Sequence, residues 1–185
     1  MIAMEITPLS IKDILLLKPR IHKDKRGYLY ESFNEAIFNK LLKTHIHFVQ
    51  DVHSYSKQHT LRGLHYQLPQ KAQAKLVRVI KGEIFDVAID IRKHSPSFGT
   101  WVGQILSEEN KLQMWIPEGF ANGFLVLSHD AEVVYKVTES YSPEHERCIL
   151  WNDERLNIHW PINTQPLMSD RDLSGTSFKD AEVYS

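Results

Sequence analysis

The stretch Thr60-Leu61-Arg62-Gly63-Leu64-His65-Tyr66-Gln67 has the composition of a buried β-strand, yet it holds an arginine, a histidine and a glutamine. Polar groups of this kind are costly to bury without partners, so they must satisfy one another or line a site. Histidine exchanges protons near neutral pH and arginine carries permanent positive charge, so the two together could handle a proton and the negative charge it leaves behind.

In a regular strand Arg62 and His65 point to opposite faces, because their spacing is odd. Gly63 lies between them and can adopt a bulge conformation that re-aims one side chain. The sequence therefore predicts a bulge at Gly63 serving a shared site. A packing role, with His65 a hydrogen-bonded core histidine and Arg62 on the surface, explains this octapeptide equally well.

The frame for such a site reads as short strands. Residues 28–33, 48–54, 61–67, 75–80, 84–91, 100–106, 113–116 and 132–138 all carry β-branched or aromatic residues. In Phe85, Val87, Ile89 and Ile91 the apolar side chains recur at every second position with Asp86 and Asp90 between them, the pattern of a strand with one buried face. Lys81-Gly82-Glu83 then reads as a hairpin turn. One helix is expected from about Glu35 to Lys43, with Asn34 as its N-cap. Many short strands and one or few short helices predict a mainly β jelly roll, cupin-like, as one domain over residues 1–185, whose mouth can enclose a ligand.

Composition narrows what that ligand can be. With 22 Lys and Arg against 23 Asp and Glu in 185 residues there is no broad basic face for nucleic acid, so any anion site must be local. A single cysteine, Cys148, excludes an intrachain disulfide and is expected to exclude every cysteine-based zinc site, because those need at least two thiolates on one metal. The N-terminus lacks the features of a signal peptide, and the apolar run Ile14 to Leu17 is far too short to span a bilayer. A soluble protein of the reducing cytoplasm, with no membrane partner, is expected.

Further polar motifs follow downstream: Lys75-Leu76-Val77-Arg78, Pro117-Glu118-Gly119-Phe120-Ala121-Asn122-Gly123-Phe124, Tyr135-Lys136, Tyr141-Ser142-Pro143-Glu144-His145-Glu146 and Ser169-Asp170-Arg171-Asp172. With Pro19-Arg20, Arg26-Gly27 and Glu31-Ser32-Phe33 they resemble the dTDP-4-dehydrorhamnose 3,5-epimerase family, in the family's order and over most of the chain. The resemblance implies a cupin-class homodimer acting on a dTDP-linked 4-keto-6-deoxy sugar, without cofactor and without metal. By the same resemblance His65 is the catalytic base, Asp172 the carboxylate that orients it, and Tyr135 the acid on the opposite face of the sugar. Lys75 and Arg62 would be the cations that stabilise the enolate. Arg26, Glu31, Gln50, Asp51, Glu146 and Arg171 match positions that contact the nucleotide sugar, with Arg26 and Glu31 reaching across the dimer interface, and Tyr141 matches the aromatic that stacks on thymine.

Two positions depart from the family pattern. Asn122 stands where the family usually has histidine, and can donate a hydrogen bond but not carry a proton charge. Val52 stands where asparagine usually follows the Gln-Asp pair, so one polar contact to substrate is expected to be missing. Epimerisation at C3 only or C5 only, or of another nucleotide sugar, is the alternative these departures raise. Two readings of other classes remain beside it. A metal-dependent cupin oxygenase could use His45-Ile46-His47, although no suitably spaced Gly and Glu accompany that pair, and it reads as surface or loop. A non-catalytic sugar-binding cupin would have no use for a facing acid and base.

Overall fold

The computed structural model describes residues 4–185. In chain order its strands are β1 (Met4–Pro8), β2 (Leu15–Pro19), β3 (His22–Asp24), β4 (Gly27–Leu29), β5 (Gln50–Lys57), β6 (Leu61–Gln67), β7 (Lys75–Lys81), β8 (Glu83–Asp90), β9 (Trp101–Ser107), β10 (Gln113–Ile116), β11 (Phe120–Val126), β12 (Asp130–Val137) and β13 (Glu146–Cys148). Helix α1 spans Glu35–Leu42 and helix α2 spans Asp170–Leu173. A six-stranded antiparallel sheet, ordered β1-β2-β10-β7-β12-β5, faces a five-stranded one ordered β13-β6-β11-β8-β9, and β3 and β4 form a separate hairpin. This is the jelly-roll arrangement the strand pattern predicts.

Three apolar layers hold it together. Between the sheets lie Val77, Val79, Ile84, Leu106, Met114, Phe124, Val126 and Val133, contributed by strands of both sheets. Outside the five-stranded sheet, Val87, Ile89 and Ile91 pack under the C-terminal segment with Leu156 and Phe178. Outside the six-stranded sheet, α1 covers Leu17, Leu76 and Trp115 with Phe38. The helix starts as expected, with the Asn34 side chain accepting a hydrogen bond from the Ile37 amide at 3.1 Å. No helix among the described residues is long and apolar enough to cross a membrane.

Several expectations need correction. Lys81-Gly82-Glu83 is not a hairpin turn, because β7 and β8 belong to different sheets; the chain crosses there from one sheet to the other. Gly82 has φ +78°, and a Cβ on it would lie 2.1 Å from the Asp130 carbonyl oxygen. Strand β8 has two buried faces rather than one. Asp86 and Asp90 are both fully buried, Asp90 held by Arg92, Ser95 and Ser97 and Asp86 turned into the space between the sheets beside Ile84 and Ala88. The strand expected over residues 28–33 shrinks to β4, and β1, β2, β3, β11 and β13 lie outside the strands that the sequence pattern predicts.

Candidate active site

The bulge at Gly63 is present. Asn122 of β11 pairs with His65 of β6, but Phe124 pairs with Arg62, so β6 carries one residue more than its neighbour across this stretch. Gly63 has φ +120°, and a Cβ there would approach Gly123 Cα to 2.6 Å and the Asn122 carbonyl oxygen to 2.8 Å. The two strands come together where neither has a side chain, and the extra residue brings Arg62 and His65 to the same cleft, while Leu64 and Tyr66 between and beyond them stay in the outer apolar layer.

The cleft has two adjoining lobes of about 220 and 460 Å³ that share Val52, His65, Lys75, Tyr135, Tyr141 and Glu146. Its walls come from β5, β7 and β12 of one sheet and β6, β11 and β13 of the other. His65 Nε2 lies 2.6 Å from Asp172 Oδ1. Ser169, the N-cap of α2, accepts from the Asp172 amide and fixes the carboxylate. Burial would raise the Asp172 pKa, but hydrogen bonding to His65, the charge of His65 and further bonds outweigh it and hold the carboxyl below its usual value. An ionised carboxylate on Nε2 keeps the imidazole proton there and leaves Nδ1 as the basic nitrogen.

Tyr135 projects from β12, across the cleft from β6, and packs against the interior core. Burial raises its pKa, Arg62 opposing and Glu146 adding to the effect, so the phenol keeps its proton at neutral pH. Arg62 donates from Nε to Ser56 Oγ at 3.0 Å and from Nη2 to the Tyr55 carbonyl at 3.3 Å, which pins it against β5. Lys75 is buried, with Nζ donating to the His65 carbonyl at 3.3 Å. Burial lowers its pKa to about 8 against the pull of Asp86 and Glu146. Glu146 pairs with Arg171, and Arg171 donates at 3.2 Å to the hydroxyl of the half-exposed Tyr141, whose amide is held by Gln50 Oε1.

Asn122 lines the larger lobe but does not act as the sequence suggested. Its Nδ2 donates to Asp86 Oδ1 at 2.8 Å and to the Val87 carbonyl at 3.0 Å, so both amide hydrogens are committed inward. What it offers the cleft is its carbonyl oxygen, an acceptor. Asp86 is the functional-site residue that sequence reasoning missed. It is fully buried beneath Asn122 with Oδ2 unpartnered, and burial raises its pKa to about 7 although Asn122, Lys75 and the Val87 amide favour the charged form. The available signal was an acidic residue amid β8's apolar run, which resembles a solvent-facing position until the pairing of β8 with β11 is known.

Arg26, Glu31 and Asp51 do not line this cleft. Arg26 makes a fully exposed ion pair with Asp24 on the β3–β4 hairpin, Glu31 contacts Asn34, and Asp51 pairs with Lys136 at 2.9 Å. His45 and His47 lie on an exposed loop, where His47 contacts Glu35.

Residues 8–180 match the family model described as dTDP-4-dehydrorhamnose 3,5-epimerase. The chain is 53% identical to the dTDP-4-dehydrorhamnose 3,5-epimerase of Pseudomonas aeruginosa, over 98% of this chain and 99% of that one. Among solved structures it resembles the dTDP-6-deoxy-D-glucose-3,5-epimerase of Legionella pneumophila in complex with dTDP-4-keto-L-rhamnose, with TM-score 0.92 and 48% identity over 95% of this chain and 93% of the other. It also resembles a 3'-monoepimerase of Streptomyces bikiniensis in complex with dTDP-quinovose, with TM-score 0.87 and 33% identity over 93% and 87% of the two chains.

Proposed function

We infer that the chain, which belongs to the dTDP-4-dehydrorhamnose 3,5-epimerase family, is an isomerase that converts dTDP-4-dehydro-6-deoxyglucose to dTDP-4-dehydrorhamnose by inverting carbons beside the C4 ketone. One observation carries this reading: an oriented base, His65 with Asp172, and a protonated phenol, Tyr135, project from facing sheets into one cleft. His65 Nδ1 takes the proton from the carbon next to the ketone, and the electron pair moves into an enolate. The ammonium of Lys75 and the guanidinium of Arg62 stabilise the charge on C4 oxygen. Tyr135 returns a proton to the opposite face, which inverts the centre, and exchange with solvent resets both groups.

Tyr141, half exposed and tethered by Arg171, is assigned to stacking on the thymine, a reading supported by its place in the cleft that Gln50, Glu146 and Val52 also border. Arg26 and Glu31 are assigned to the cleft of a second copy in a homodimer, which accounts for their absence from this one and for the exposed Tyr28 and Leu29 beside them. The enzyme is assigned to the reducing cytoplasm on its lone free thiol.

Incubation with dTDP-4-keto-6-deoxyglucose in D2O, with deuterium located by NMR, tests the reaction. Label is expected at C3 and C5, and no label at either carbon overturns the assignment. Because Asn122 commits both amide hydrogens to Asp86 and Val87, it gives the enolate no donor, so the two carbons should exchange at unequal rates. Asn122→His should raise the slower rate relative to the faster. Equal rates, unchanged by that substitution, would mean that Asn122 has no bearing on which carbon reacts.

A further inference from the structure

One side chain at the dyad has no part in this reaction. Cys148 of β13 pairs directly opposite His65 of β6, and its thiol contacts backbone alone, the Ile149 carbonyl at a long 3.6 Å and the backbone of Leu64. The sulfur, an imidazole nitrogen of His65 and a carboxylate oxygen of Asp172 all lie within 4.8 Å of one another, the one such group of three donors found among the described residues. Burial pushes the Cys148 pKa up to about 12, Asp172 adding to the effect. Left alone it is therefore a neutral and unreactive thiol.

We propose that Cys148, His65 and Asp172 form a binding site for a single soft divalent cation of the zinc class, which switches the enzyme off by occupying the dyad. The second half of that statement rests on His65 and Asp172 being the catalytic pair. An imidazole, a thiolate and a carboxylate are the donor set that selects zinc, cobalt or cadmium over magnesium or calcium. With bonds of about 2.0–2.3 Å, the donors of a tetrahedral ion stand roughly 3.3–3.7 Å apart. The thiol must swing in and the 2.6 Å contact between His65 and Asp172 must open, which are side-chain movements that leave the β6–β13 pairing and α2 in place. The thiol proton goes to solvent, because a coordinated thiol is deprotonated outright. The imidazole proton moves from Nε2 to Nδ1 as the ion takes Nε2. The base nitrogen is then protonated and cannot accept from the sugar. The expectation that a lone cysteine excludes every cysteine-based zinc site is too broad for this cluster, because an imidazole and a carboxylate take the places of further thiolates.

The test titrates the full chain with cadmium or cobalt, reading thiolate-to-metal charge-transfer absorption, and separately measures zinc inhibition of proton exchange. One equivalent should complete the absorption band, zinc should inhibit, and EDTA should restore full activity. Cys148→Ala should keep the uninhibited rate, lose the band, and need more zinc for inhibition by more than the roughly 10- to 100-fold that loss of an outer-sphere partner alone costs. Cys148→Ser serves the same purpose if the alanine variant folds poorly. Absence of the band, or either variant titrating like the parent, overturns the site. A band with undiminished exchange would keep the site and instead remove His65 and Asp172 from the reaction.

Discussion

The space between the two sheets holds an apolar region and a polar layer, and the same strands build both. On β7, Val77 and Val79 enter the apolar region while Lys75 enters the polar layer; on β12, Ala131 and Val133 contrast with Tyr135; on β11, Phe124 and Val126 contrast with Asn122. Period-two alternation decides only that these side chains point inward. In the apolar region the requirement on each residue is volume and shape, so many combinations serve. In the polar layer named partners matter: His65 depends on Asp172, Asn122 on Asp86 and Val87, and Arg62 on Ser56 and Tyr55. Substitution should therefore cost stability in one region and chemistry in the other.

The largest departure is expected at His65. His65→Ala should slow proton exchange by roughly 10²- to 10⁴-fold, the contribution of a positioned general base, while circular dichroism stays that of the folded parent. Asp172→Asn should cost less, because it misorients the imidazole without removing it. Equal and mild losses in the two variants would put His65 outside the chemistry and break the contrast at its strongest point.

Next comes Leu106, fully buried in the apolar region. Leu106→Ala should lower unfolding stability by about 2–5 kcal/mol through lost burial and a residual cavity, with the exchange rate per folded molecule unchanged. A loss of rate at full occupancy of the folded state would show that the two regions are mechanically coupled.

The smallest effect concerns pH. Burial sets the Lys75 pKa at about 8, so the ammonium is charged below that pH and neutral above it. The exchange rate should fall as pH rises through about 8, by about tenfold per unit once the neutral amine dominates. Lys75→Gln should be slower throughout and show no such limb. An unchanged limb in that variant would assign the titration to another group and loosen the link between Lys75 and the enolate.

Much of this was legible in the sequence because it rests on local pattern. Strands β6 and β10 appear with the bounds the residues imply, α1 starts at its Asn34 cap, and the bulge at Gly63 follows from an odd spacing around a glycine. What escaped depends on partners distant in the chain. Strand β11 reads poorly because Asn122 and Gly123 are weak strand formers, yet all its residues are buried between two neighbours. Asp86 reads as a solvent-facing residue because an inward carboxylate and an outward one leave the same alternation. The direction of the Asn122 amide was equally hidden, since it is set by Asp86 thirty-six positions away.

The close approach of Gly63 and Gly123 limits how this enzyme can be remodelled. A Cβ on Gly123 would meet the Arg62 carbonyl oxygen at 2.6 Å, just as one on Gly63 would meet Gly123 itself. Any side chain at either place pries β6 from β11 and carries the imidazole away from its carboxylate. Attempts to breed the protein towards other sugars must therefore leave those two places bare and recruit diversity from the cleft wall at Val52, which has no hydrogen-bonding side chain to give up.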